Sequence, residues 1–298
     1  MPEQPIDPSA RARQLVRGAY DLHVHVEPDL ATRRIDDLAL ARRFAELGLA
    51  GFVLKSHYVP TAERAAVVRA AVPGVRALGG IALNGGVGGL NAEAVEIAAR
   101  SGARVVWLPT VDAENEAAHD AEPGKQPVWR QIQDELAAVD VANGPVPLTP
   151  SRLAKVLEVV ARHELVLATG HIGRAEIHEV VDAAFAAGVS QVVVTHPDYP
   201  SQGVPLEEQR ELAARGALLE RCFAPIHSGK VSWEATFAAI RATGVEHNVL
   251  STDLGQPANP PVEDGLALMA DRLLEAGFAK EDVHTMAVVN TRRLADAD

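Results

Sequence analysis

Two histidines separated by a single residue carry the clearest chemical signal in the sequence. The segment DLHVH at residues 21–25 places them on an apolar run. Because side chains alternate along a strand, we expect Asp21, His23 and His25 to share one face, with the two imidazoles about 7 Å apart. Neutral histidine is a common metal ligand, so this pair could converge on one ion. A hydrogen-bonded pair inside the core is the alternative.

Three further polar residues each follow an apolar run. His171 comes after VLATG, His196 after VVVT and Asp253 after VLST. Barrel enzymes place their catalytic groups at the carboxyl ends of their strands. We therefore expect four imidazoles and one carboxylate to meet at one rim, as a set of nitrogen and oxygen donors suited to zinc or manganese.

The elements that would position these residues recur along the chain. Short apolar runs alternate with segments of helical periodicity, which is the pattern of parallel strands with crossover helices. An open doubly wound sheet would need a glycine-rich phosphate turn after its first strand, and no G-x-G-x-x-G follows here. The sequence predicts a single (β/α)8 TIM barrel domain over residues 1–298, with strands near residues 19–26, 51–56, 75–83, 104–109, 165–170, 191–195, 217–222 and 248–252.

One segment interrupts the repeat. Residues 111–150 are too long for a simple connection between a strand and a helix. We interpret them as an insertion after strand four on the active face, with a β-hairpin over 139–148 that turns at Asn143-Gly144. The alternative is a decoration of the barrel or a contact between copies of the chain in a homo-oligomer.

Composition excludes several function classes. The 298 residues are 47% hydrophobic with a net charge of −12, so the chain can bury a large core and has no general attraction for nucleic acid or anionic membranes. The single Cys222 cannot form an intramolecular disulfide, and no run is apolar enough to span a membrane. We expect a cytoplasmic protein that acts on a small molecule.

The combined motifs resemble the amidohydrolase superfamily of metal-dependent hydrolases. The match comprises His-x-His on strand one, a histidine on each of strands five and six, and an aspartate on strand eight, and the terminal VVNTRRLAD resembles the superfamily's closing helix. The segments TGH, VTHP and STDLG resemble its phosphotriesterase and lactonase side. The resemblance implies one or two divalent ions per chain, usually zinc, with manganese as the alternative.

The resemblance also implies roles for individual residues. His23 and His25 would bind a first metal, and His171 and His196 a second. Asp253 would be both a ligand and the catalytic proton acceptor.

The sequence departs from the family at strand four. Many binuclear relatives bridge their metals there through a carbamylated lysine, but this strand reads RVVWLPT. Lys55 at the end of strand two could supply the carbamylated bridge, and so could the carboxylate of Glu220 on strand seven. The alternative is that Lys55 stays cationic and pairs with a carboxylate or binds substrate.

Three more polar residues are candidates for substrate binding. His57 lies on the strand-two face of Lys55, Arg34 lies in the loop after strand one, and His227 lies in the loop after strand seven. The predicted activity is hydrolysis of an amide, cyclic imide, lactone or other ester by metal-activated water. The alternatives are a non-oxidative decarboxylase, a deaminase or a phosphotriesterase on the same scaffold, or a barrel that binds metal or ligand without turnover.

Overall fold

Eight parallel strands form the centre of the fold. A computed structural model of the chain describes residues 7–124, 129–139 and 144–296. The strands pair in sequence order, which confirms the predicted (β/α)8 barrel. They are β1 (Tyr20–Val24), β2 (Gly51–Leu54), β3 (Arg76–Ala82), β4 (Ala103–Trp107), β5 (Val166–Ala168), β6 (Val192–Val194), β7 (Leu218–Cys222) and β8 (Asn248–Ser251).

Helices connect successive strands and cover the outside of the barrel. The described helices are α1 (Ala10–Leu15), α2 (Asp37–Leu47), α3 (Ala62–Ala71), α4 (Ala92–Arg100), α5 (Glu114–Asp120), α6 (Arg130–Ala137), α7 (Pro150–Arg162), α8 (Arg174–Ala186), α9 (Leu206–Ala214), α10 (Phe223–His227), α11 (Trp233–Thr243), α12 (Val262–Glu275), α13 (Lys280–His284) and α14 (Asn290–Ala295). Among the described residues, no helix is long and apolar enough to cross a lipid bilayer.

The strands are short apolar runs because both of their faces are buried. One set of side chains fills the interior of the barrel, and the alternate set packs under the helices. The interior cluster includes one or more residues from every strand, among them Val53, Leu78, Val105, Val166, Val193, Leu218 and Val249. Because this apolar cluster fills the interior of the barrel, the carboxyl ends of the strands are the place for polar side chains.

Strand β1 contains a bulge that the sequence did not reveal. Asp21 pairs with Phe52 and Val24 pairs with Leu54, so β1 has two residues between these pairs where β2 has one. Phe52 and Leu54 pack in the outer layer. The extra residue turns Asp21 to the outer face while His23 still points inward. The expectation that Asp21 shares the histidines' face was therefore wrong.

Asp21 instead joins the first and last strands. Its carboxylate accepts hydrogen bonds from the Thr252 N–H at 3.0 Å and the Thr252 hydroxyl at 2.6 Å. Just beyond, the Asp253 N–H donates to the His23 carbonyl at 2.8 Å, and the His25 N–H donates to the Leu254 carbonyl at 2.8 Å. These bonds close the barrel between β1 and β8. Burial raises the pKa of Asp21 to about 7, although the Thr252 hydrogen bonds oppose that shift.

The predicted insertion holds α5 and α6. A parallel bridge between Ala113 and Val146 joins the start of this segment to its end. The predicted hairpin turn at Asn143-Gly144 involves residues 140–143, which lie outside the described residues.

We expect Asp21→Ala to lower the free energy of unfolding by about 2 to 3 kcal/mol, because it leaves the buried Thr252 donors without an acceptor. Asp182→Ala on the exposed face of α8 is the matched control, and we expect it to change stability by less than about 0.5 kcal/mol. Urea denaturation measures both. Equal stability of the two variants would remove Asp21 from the barrel closure.

Candidate metal centre

Five imidazoles form a closed ring at the carboxyl end of the barrel. Their successive ring centroids are 5.4, 4.9, 5.9, 5.0 and 6.1 Å apart. All five residues are at most 6% exposed. In order around the ring they are His23, His25, His57, His171 and His196. The four histidines predicted at the strand ends therefore meet, and His57 joins them.

The carboxylate of Asp253 lies against two of these rings. Its Oδ1 is 3.1 Å from His23 Nε2 and 3.2 Å from His25 Nε2. Burial raises the pKa of this carboxyl, but the two imidazoles lower it by a larger amount. The pKa of Asp253 is therefore well below its usual range. Asp253 is thus held as a carboxylate between two ring nitrogens.

Two of the site residues have an unusual backbone conformation. His196 has φ of 25° and Asp253 has φ of 54°, both in the left-handed region that residues other than glycine rarely occupy. Each one is the second residue after the end of its strand, where the chain leaves the barrel wall. Such strain is characteristic of functional sites because the surrounding structure must hold it in place.

Lys55 points into the same centre. Its Nζ is 2.9 Å from His23 Nε2 and 5.5 Å from the centroid of the Trp107 ring. Burial lowers the pKa of this lysine, in opposition to the nearby carboxylates of Asp253 and Glu220. The amine therefore lies beside the nitrogen that faces Asp253.

Glu220 lies on the opposite side of the His23 ring. Both of its carboxylate oxygens are 3.3 Å from His23 Nδ1. Burial and the Lys55 charge lower the pKa of His23, but the carboxylates of Asp253 and Glu220 outweigh them and raise it to about 9. Cys222 also approaches Nδ1, at 3.8 Å, but burial raises the pKa of its thiol, which keeps it protonated. The contact with Glu220 therefore orients the His23 ring.

Two other imidazoles are also held through Nδ1. His57 Nδ1 hydrogen-bonds the Thr110 hydroxyl at 2.8 Å, and His196 Nδ1 hydrogen-bonds the Gln202 side-chain oxygen at 3.0 Å. Asn84 supports the first contact by donating to the Thr110 hydroxyl at 2.6 Å. Partners of this kind fix the orientation of histidines that bind metals. Burial lowers the pKa of His57 well below its usual value and that of His196 to about 4, so both rings are neutral.

His171 has a less complete environment. Its buried Nδ1 has no hydrogen-bond partner among the described residues, and the carboxylate of Glu116 on α5 lies 3.7 Å away. Glu116 accepts a hydrogen bond from the Ser201 hydroxyl at 2.5 Å, and burial raises its pKa to about 7. Glu116 was not among the predicted site residues, because an insertion gives no periodic signal that marks one of its residues.

The donor set fits a divalent ion. His23 Nε2, His25 Nε2 and Asp253 Oδ1 all lie within 4.8 Å of one another. Neutral imidazole nitrogens and carboxylate oxygens are the ligands that zinc and manganese accept, and burial keeps every ring but that of His23 in this neutral form. Burial lowers the pKa of His25, for example, to about 3. These three residues could hold one ion, and His171 with His196 could hold a second.

A cavity of about 310 Å³ opens above the ring, with Arg33, Trp129, Tyr199 and Lys230 among its outer walls. Two predicted substrate contacts lie elsewhere. His227 is exposed and stacks on Phe223 at 5.4 Å, outside the residues that line the cavity. Arg34 donates to two backbone carbonyls of the loop after β8 at 3.0 Å, which makes it a support of that loop.

Several solved structures share this fold at low sequence identity. An amidohydrolase from Pseudomonas aeruginosa superposes with a TM-score of 0.60 at 14% identity, over 96% of this chain and 98% of that one. An organophosphorus hydrolase from Deinococcus radiodurans gives 0.58 at 15% identity, over 98% and 99%. An enamidase described as a member of the amidohydrolase superfamily gives 0.57 at 14% identity, over 94% and 67%. At these identities the likeness establishes the fold, as the sequence motifs predicted.

Sequence comparison assigns the family. No curated protein matches the chain. A family model described as "Family of unknown function (DUF6282)" matches residues 18–220, which is more than half of the 298 residues. The chain therefore belongs to the DUF6282 family and has the barrel fold of amidohydrolase-superfamily structures.

Proposed function

We propose that this chain is a metal-dependent hydrolase that cleaves an amide, cyclic imide, lactone or other ester bond of a small molecule. The observation that carries the proposal is the ring of five buried imidazoles, two of which contact the Asp253 carboxylate. So many imidazoles would be costly to bury together without a ligand for their nitrogens. Bond hydrolysis is also common to the similar structures, an amidohydrolase, an enamidase and an organophosphorus hydrolase.

The residues divide the work between binding and proton transfer. His23, His25, His171, His196 and Asp253 would hold zinc or manganese, which when bound supplies an activated water and polarises the bond under attack. Asp253 is the one carboxylate among the described residues that line the cavity. It is therefore the group positioned to accept the proton of water and return it to the leaving group.

The role of Glu220 in this proposal is to position His23. It contacts Nδ1, whereas the nitrogen that faces Asp253 is Nε2. A carboxylate behind a metal-binding histidine fixes the ring and raises its basicity. We therefore favour Glu220 as this support over its predicted role as a bridge.

Lys55 would bridge the ions as a carbamate. A lysine ammonium 2.9 Å from His23 Nε2 would lie close to any ion held there, and like charges 4 Å apart cost about 4 kcal/mol at an effective dielectric of 20. The neutral amine can add to carbon dioxide, which forms the N–C bond and releases one proton. The product replaces a positive charge with two anionic oxygens, the ligand type that suits the site.

The proposed function predicts one to two divalent ions per chain in protein isolated without chelator. In a screen of esters, lactones and amides, chelation should abolish turnover and added zinc or manganese should restore it. Asp253→Asn should lower kcat by about a thousandfold or more, because the amide cannot accept a proton. Asp182→Asn on α8 is the control. Absence of bound transition metal by elemental analysis, together with failure to load any, would reject the function.

The carbamate predicts a specific loss and rescue. Lys55→Ala should reduce the metal content toward one ion per chain, and added formate or acetate should restore part of the second ion and of the activity. Carbon-13 NMR of protein in labelled bicarbonate should show a carbamate signal that is absent in Lys55→Ala. Unchanged metal content in Lys55→Ala, with only KM or kcat altered, would instead identify Lys55 as a cation that binds substrate.

A further inference from the structure

The outer wall of the cavity carries basic side chains, although the protein as a whole is acidic. The chain carries a net charge of −12. Among the described residues that line the cavity, however, the outer wall carries the basic residues Arg33 and Lys230, and the acidic residue of the lining is Asp253, which belongs to the proposed metal centre. A cation of this wall that has no carboxylate beside it would favour an anionic ligand at that place.

One of these two basic residues already has an ion-pair partner. Arg33 donates through Nε to the Asp29 carboxylate at 2.7 Å, and its second nitrogen lies 2.6 Å from the same oxygen. Lys55 lies at the bottom of the cavity beside His23. Within the described ranges, no carboxylate lies within 4.0 Å of the Lys230 Nζ. Lys230 is thus the cation of the cavity wall without an ion-pair partner there.

Lys230 hydrogen-bonds a tyrosine that also contacts one member of the ring of five histidines. Its Nζ donates to the Tyr199 hydroxyl at 2.6 Å and lies 4.8 Å from the centroid of the same ring. The Tyr199 ring is 5.1 Å from the ring of His196. Because the tyrosine oxygen accepts from lysine, its own proton remains available for an anion. The Lys230 ammonium and the Tyr199 hydroxyl therefore lie together, next to His196 of the proposed metal centre.

We propose that Lys230 and Tyr199 bind a carboxylate carried by the substrate. The proposal rests on the proposed function and narrows its substrate class to small amides or esters with a free carboxylate near the bond that is cleaved. An ammonium and a hydroxyl offer a carboxylate two hydrogen bonds, one of them charge-assisted. The cavity of about 310 Å³ suits a molecule of this size.

Three hydroxamates provide the probe. Acetohydroxamate supplies a group that chelates the metal, succinic acid monohydroxamate adds a distal carboxylate, and the corresponding carboxamide replaces that carboxylate with a neutral group of the same shape. Calorimetry measures their affinities for the protein as isolated. We expect the carboxylate probe to bind about tenfold or more tightly than the carboxamide in the wild type.

Variants identify the residues responsible. In Lys230→Met the ratio between the two probes should fall to about one while acetohydroxamate affinity stays unchanged, and Lys230→Arg should keep most of the ratio. Tyr199→Phe should lower the ratio by a smaller factor. Lys155→Met on the exposed face of α7 is the matched control and should leave the ratio at its wild-type value.

The outcomes separate this inference from the function on which it rests. If acetohydroxamate binds and chelation abolishes its binding, but the wild type does not distinguish carboxylate from carboxamide, the carboxylate site is rejected and the hydrolase proposal stands. A ratio that persists in Lys230→Met also rejects the site. If none of the three probes binds, the metal centre itself is rejected, and the carboxylate site falls with it.

Discussion

The seam between the first and last strands is the constraint on which the site depends. His23 and His25 come from β1 and Asp253 follows β8, so they can meet only if these strands are held in one register. The backbone bonds from Asp253 to His23 and from His25 to Leu254 set that register. The fit is close: a Cβ on Gly255, whose φ is 137°, would lie 1.6 Å from the His25 carbonyl oxygen. Only glycine can follow this path.

Burial then determines the electrostatics of the site. Removing the rings from water favours their neutral forms, and the pKa of His25, His57, His171 and His196 falls accordingly. His23 is the exception because it lies between two carboxylates, one on each ring nitrogen. The same arrangement that raises its pKa would make it a strong ligand once its proton is lost. The described centre is therefore rich in neutral nitrogen donors around one carboxylate.

Much of the fold could be predicted from the sequence because strand burial leaves a direct pattern. Apolar runs ending in a polar residue located all eight strands to within a few residues, and they placed His171, His196 and Asp253 at one rim. The bulge in β1 could not be predicted, since it depends on pairing with β2 and leaves no mark in the alternation of one strand. Asp21 was assigned to the wrong face for this reason.

The supporting residues were harder to find because their contacts are not periodic. Gln202 lies in the loop after β6, and Thr110 lies just beyond β4, where a polar residue has many uses. Glu116 comes from an insertion and approaches His171 across 55 positions of sequence. Such partners follow from tertiary structure alone. His57, predicted as a substrate contact, lines the cavity and also stacks on His25, so it belongs to the group of five histidines as well.

The central claim is that the ring of five histidines and Asp253 form a metal centre. Crystals of zinc-loaded protein, measured just above and just below the zinc absorption edge, test it most directly because anomalous scattering locates the ion independently of its ligands. The account predicts an anomalous peak about 2.0 to 2.2 Å from His23 Nε2, His25 Nε2 and an Asp253 carboxylate oxygen. Crystals with stoichiometric zinc but no peak inside the ring, or with the only peak at a surface site, would contradict it.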